Sequence, residues 1–215
     1  MKKVLLSIPL LVLITILVLS AATPALAGQL YHSKGTGADA YWLMYDQGTG
    51  VYTDIFVYGR DSMYQDPPGR PQAKEYGNIS IFQYRYDEEE FVPLVDISYW
   101  GAIPEGGLAI DNKLASASVV ASDLAARKWD YLAEEETAVS LDVDVNWMAT
   151  GSLSRESYSW HHHFPYMNAN YHYSGKSRGA TAQGSVHYDG ISIILGASDG
   201  GRIFYTREGL TEVNR

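Results

Sequence analysis

The sequence predicts an all-β fold: a single-domain antiparallel β-sandwich, or alternatively a closed β-barrel, with about nine strands and at most one short helix. Three observations carry this. Aromatic residues reach 13% of the chain, with 17 Tyr, a composition that suits pleated, half-buried surfaces. Short runs alternate apolar and polar residues at period two. Clusters built from Gly, Asp and Pro separate those runs at short intervals, as in sandwiches and barrels. Hydrophobic residues make up 46% and charged residues 19%, which excludes a disordered chain.

The first element is a leader. Lys2 and Lys3 form a basic start, residues 4–20 are almost wholly apolar, Pro24 breaks the run, and Ala25-Leu26-Ala27 supplies small residues at a cleavage site. This is the three-part pattern of a secretory signal peptide, residues 1–27, leaving residues 28–215 as one β domain. An uncleaved anchor is the alternative, because 17–20 apolar residues can span a bilayer. No second long apolar run follows, so no membrane span is expected after cleavage. The expected location is secreted, extracellular or associated with the cell envelope.

Residues 35–37 read as a loop, and 38–45 and 51–58 as a hairpin around Asp46-Gln47-Gly48. Residues 61–74, with Pro67, Pro68 and Pro71, read as an irregular connection. Residues 78–86 and 91–100 are strands on either side of an acidic turn, and Pro93 places the start of the second at an edge. Residues 113–121 suit a strand with small side chains. From Ser122 a helix is the competing reading, since Leu124, Lys128 and Leu132 recur at i, i+4 and i+8, although Glu134 to Glu136 would oppose its dipole. Residues 137–151 alternate most strictly: Val139, Leu141, Val143, Val145 and Trp147 are expected to be buried, with Asp142 and Asp144 exposed. Residues 152–175 read as a long polar loop crowded with aromatics. Residues 178–188, with Ala180, Ala182 and Gly184 on one face, 191–197 and 202–206 complete the pattern, and the tail from Glu208 is expected to fray.

Composition narrows the function. There are 25 acidic residues against 16 basic, a formal net charge of −9, so general nucleic-acid binding is not expected. The absence of Cys removes disulfides, thiolate metal sites and a Cys nucleophile. Neither GxSxG, GxxxxGK[ST] nor GxGxxG occurs, and no Ser, His and Asp spacing marks a triad. Asp142-Val-Asp-Val-Asn146 opens like a calcium loop, but Trp147 stands where the turn needs Gly and Leu153 where a bidentate Glu is required.

The segment 152–175 carries the functional reading. Tyr158, Trp160, Phe164, Tyr166, Tyr171 and Tyr173 fall close together beside Asn168 and Asn170. Aromatic faces stack on the apolar faces of sugar rings, and amides hydrogen-bond hydroxyls. The expected ligand-binding set is therefore Trp160, Tyr166, Asn168, Asn170, Tyr171 and Tyr173, in a non-catalytic binding or structural domain whose partner is carbohydrate or another surface protein. The bland reading is that these rings simply pack between strands. The alternative function is a metal-dependent hydrolase: His161 and His163 at i, i+2 share one face of an extended segment, and His172 is a third possible ligand for zinc or copper.

Overall fold

The computed structural model describes residues 29–65, 72–163, 165 and 167–214 of the 215. The expected leader (1–27), the prolines at 67, 68 and 71, Phe164 and Tyr166 lie outside the described residues. The strands are β1 (Gln29–Asp46), β2 (Val51–Gln65), β3 (Gln72–Asp87), β4 (Glu90–Ala102), β5 (Leu108–Ile110) and β6 (Ser116–Asp130). They continue as β7 (Glu135–Ala149), β8 (Ser154–His163), β9 (Met167–Tyr188), β10 (Ile191–Leu195) and β11 (Gly200–Asn214). The fold is all-β, and every ladder is antiparallel.

The pairing closes on itself. β1, β2, β3, β4, β6, β7, β9 and β11 follow one another and return to β1; β5 attaches to β6, and β8 and β10 attach to β9. The eight-membered ring is not evenly disposed about an axis, an arrangement consistent with either a sandwich or a barrel. Closure protects most strand edges.

The interior follows the period-two pattern. Ile55 and Val57 of β2, Ile79 and Ile81 of β3, Val143 and Val145 of β7 and Val186 of β9 are all at most 2% exposed, so they constitute the core. Trp147 packs where β9 presents Ala182 directly opposite, the small-residue face expected to lie under large rings. As expected for β7, Val139 to Trp147 alternate inward, and Asp144 is exposed. Asp142 is half-buried, because its carboxylate accepts the backbone N–H of Asp123 at 2.8 Å.

That bond explains the helix-like stretch. Residues 122–130 belong to β6, not to a helix. The β6–β7 register shifts between Ala121 and Leu124, and Asp123 takes a positive φ of 56°. The bulge moves the buried set from odd to even positions, from Ala117, Val119 and Ala121 to Leu124 and Ala126. A spacing of four residues returns to the same face of a strand as it does on a helix, so Leu124 and Lys128 fit both.

Four further expectations are corrected. Residues 35–37, 61–65, 72–74, 152–175 and 208–214, which read as loop or tail, lie largely in strands; β8 among them, and β5, which the sequence does not mark, make eleven strands rather than about nine. At residues 35–37 glycine was the misleading signal. A Cβ on Gly35 would strike the Asp61 carbonyl oxygen, and one on Gly37 would lie 2.5 Å from the Phe204 ring. These glycines mark close approach within a sheet rather than a turn. The C-terminal residues do not fray within the described part, because β11 pairs with β1 on one side and β9 on the other.

Candidate functional site

Beyond the core the sheet runs on as an extension. β7 ends at Ala149, and Thr150 and Gly151 donate backbone N–H groups to the Gly179 carbonyl. β8 then continues the line of β7 along β9, pairing from Ser154↔Ser177 to His163↔Asn168. Among the described residues it pairs with no other strand, and every residue of it is exposed. The same half of β9 pairs with β11, and β11 with the outer half of β1. The extension therefore has two accessible faces.

Residues directly opposite in a ladder share a face. Trp160 faces Tyr171, Tyr158 faces Tyr173, and Glu156 faces Gly175. On this first face the rings form a ladder. Trp160 stacks on Tyr171 with centroids 5.4 Å apart and planes 18° from parallel. Tyr158 stacks on Tyr173 at 4.8 Å and 24°, and Tyr158 and Tyr171 meet at 5.8 Å. His162 stands edge-on to Trp160. Trp160 remains 45% and Tyr158 54% exposed, so their outer ring surfaces face solvent. The Tyr173 hydroxyl donates to Glu156 at 2.8 Å. Desolvation, then the Glu156 hydrogen bond and charge, push the Tyr173 phenol up to about 12. Desolvation and the Tyr158 hydrogen bond likewise push Tyr171 upward.

The second face carries the imidazoles. His161 faces Asn170 and contacts its amide oxygen, His163 faces Asn168, and Ser159 faces His172. Hence His161 and His163 share a face, as their spacing implied, and the β8–β9 register adds His172, Asn168 and Asn170 to it. They do not share it with the rings. Strand alternation thus divides the expected ligand-binding set: Trp160, Tyr171 and Tyr173 lie on one face, Asn168 and Asn170 on the other. Among the described residues no group of three or more His, Asp or Glu is arranged to hold a metal ion.

A groove of about 630 Å³ follows the second face over Gly209, between His161, Asn170 and His172 on one side and His32 and Arg207 on the other. Sequence reasoning did not single out His32, Arg207 or Glu208, since each reaches the site from a strand distant in the chain. It also missed a second aromatic array outside the barrel. There Tyr52 stacks on Tyr84 at 5.3 Å, and Tyr84 meets Phe91 at 5.0 Å. Alternating Tyr at 84 and 86 was the available signal.

No helix among the described residues is long and apolar enough to cross a membrane. Scanned against protein-family models the chain matches none, and a search among curated proteins returns no relative.

Proposed function

We propose that this chain is an exported, non-catalytic glycan-binding domain, and that the ring ladder of β8 and β9 is its sugar platform. The observation that carries this is the Trp160–Tyr171 stack. Each ring holds the other's orientation, while nearly half of Trp160 stays open to solvent. Leaving a large aromatic surface in water is unfavourable, and orienting it rigidly reduces the entropy lost when a flat ligand docks. The apolar face of a pyranose ring has C–H groups to lay against such a surface. Glu156 on β8, and Glu208 opposite Tyr173 on β11, place carboxylates beside the rings, where they can accept hydrogen bonds from sugar hydroxyls. Stacked, stiff aromatics deliver contact area at low conformational cost, which favours a binding role for them over mere packing.

The test is Trp160→Ala on a panel of neutral polysaccharides. Retention should be abolished while the thermal midpoint stays nearly unchanged, because β8 is an exposed edge strand. If Trp160→Ala unfolds the chain, or if retention persists, the platform reading fails.

A further inference from the structure

The second face of the extension is the outward continuation of the barrel interior. Along β9, Lys176 and Arg178 follow the buried Ala180 and Ala182 on the same alternation; along β1, Lys34 and Thr36 follow Ala38 and Ala40. The core thus opens onto a mouth, and the mouth is basic. Arg155 lies directly opposite Lys176 across β8 and β9. Arg207 lies directly opposite Lys34 across β11 and β1. Lys176 faces Tyr205, two residues from Arg207, so the two pairs are diagonal neighbours. All four cations are exposed.

We propose that this mouth binds an anionic polysaccharide through Arg155, Lys176, Arg207 and Lys34. Like charges set directly opposite in a sheet destabilise it, and here two such pairs adjoin. The ion pairs among the described residues are Lys128–Asp189 and Arg202–Asp39, neither of which involves the cluster. Of the nearby acids, Glu208 borders the groove beside Arg207, and Asp61 and Glu75 oppose each other on β2 and β3; no ion pair joins any of the three to the four cations. A chain with a formal net charge of −9 has thus concentrated four of its 16 basic residues on one exposed patch. A polyanion supplies the missing counter-charge.

The shape and the neutral groups indicate the ligand class. Two grooves of about 630 Å³ and 330 Å³ meet at His32 and Arg207 and form a track along the sheet; Lys34 and Arg207 line it, and the Arg155–Lys176 pair adjoins Arg207 diagonally. Its neutral lining, including Asn170, Ser159 and Thr211, consists of amides and hydroxyls suited to sugar hydroxyls. Single-stranded nucleic acid needs exposed rings for its bases. Trp160 and Tyr171 border the first groove, but their stacked rings lie on the opposite face of the ladder, and Tyr205 is packed against the core. The surface therefore favours an acidic sugar polymer.

Polygalacturonate serves as the probe. The full chain should be retained on the immobilised polymer at low ionic strength and released by salt, and the free polymer should raise the thermal midpoint. Lys176→Gln combined with Arg207→Gln should weaken binding about tenfold or more. Without polymer the same variant should melt at or above the parent temperature, since repulsion has been relieved. Trp160→Ala should leave polygalacturonate retention intact, which separates this surface from the ring platform. Absence of retention, retention undiminished in the double variant, or its loss in Trp160→Ala would each overturn the proposal. So would binding to single-stranded DNA that polygalacturonate cannot displace.

Discussion

The indole N–H of Trp147 on β7 donates to the backbone carbonyl of Asp39 on β1 at 2.9 Å, across 108 residues of sequence. β7 and β1 are not ladder neighbours, so this bond ties two walls of the ring through the interior. Trp42 on β1 donates its indole N–H to the carbonyl of Gly196, in the connection between β10 and β11, at 2.9 Å. Two large side chains thus fill the core while their single polar groups find partners, which removes the cost of burying an indole N–H.

Trp147→Ala should destabilise the fold by about 3–5 kcal/mol, the usual cost of removing a fully buried aromatic. Asp144→Ala, on the exposed face of the same strand, should change stability by less than about 0.5 kcal/mol. Urea denaturation of both variants checks this. Equal small effects would mean that Trp147 does not anchor the core.

Gly184→Ala should be destabilising by about 1–3 kcal/mol, the range for inserting atoms into a packed site. A Cβ at Gly184 would strike the Asp144 carbonyl oxygen and lie 2.8 Å from the Val145 Cα, and neither backbone atom can swing aside. Gly190→Ala offers a contrast, because its difficulty is a positive φ of 77° and not lack of room. A Gly184→Ala variant as stable as the parent would show that β7 and β9 lie farther apart there.

Alkaline pH should weaken the fold through specific tyrosines. Desolvation is the largest cause raising Tyr41, Tyr58 and Tyr173 to about 12 each. A phenol in the unfolded chain titrates near about 10. The folded state therefore holds its protons more tightly. The stability linked to these groups is complete below pH ~10 and is lost as pH rises from there through about 12. Absorbance titration of phenolate should show a late-ionising group of tyrosines, and Tyr173→Phe should reduce it. Ionisation of all tyrosines in one step near pH 10, with the fold intact, would contradict this.

The exported form should begin at Gly28. Sequencing its N-terminus should read Gly28-Gln29-Leu30-Tyr31. Recovery of the chain from membranes with residues 1–27 attached would support the anchor reading instead.

The legible part of the fold was the part with regular alternation. β7 has five inward apolar residues in strict succession, from Val139 to Trp147, and all five are buried. The illegible parts share one cause: their pattern is set by a neighbour. The bulge at Asp123 breaks the alternation of β6 and is held by Asp142 of the next strand. Gly35 and Gly37 look like turn residues until β2 and Phe204 are seen pressing on them. β8 has no buried residue at all, so it offers no alternation to read.

The candidate surfaces divide along the same line. By itself the sequence determined the all-β class, the inward face of β7 and the concentration of rings and imidazoles within residues 152–175, because composition and period two are local properties of the chain. It also implied that His161 and His163 share a face. Only the tertiary structure decided that Trp160 meets Tyr171 while Asn170 turns to the opposite side, since that depends on the β8–β9 register. Only it brought Arg155, Lys176, Arg207 and Lys34 together, from β8, β9, β11 and, at the far end of the chain, β1. Cross-strand register is a non-local quantity: it follows from which edges remain to be paired once the core has closed, and no single stretch of sequence encodes it.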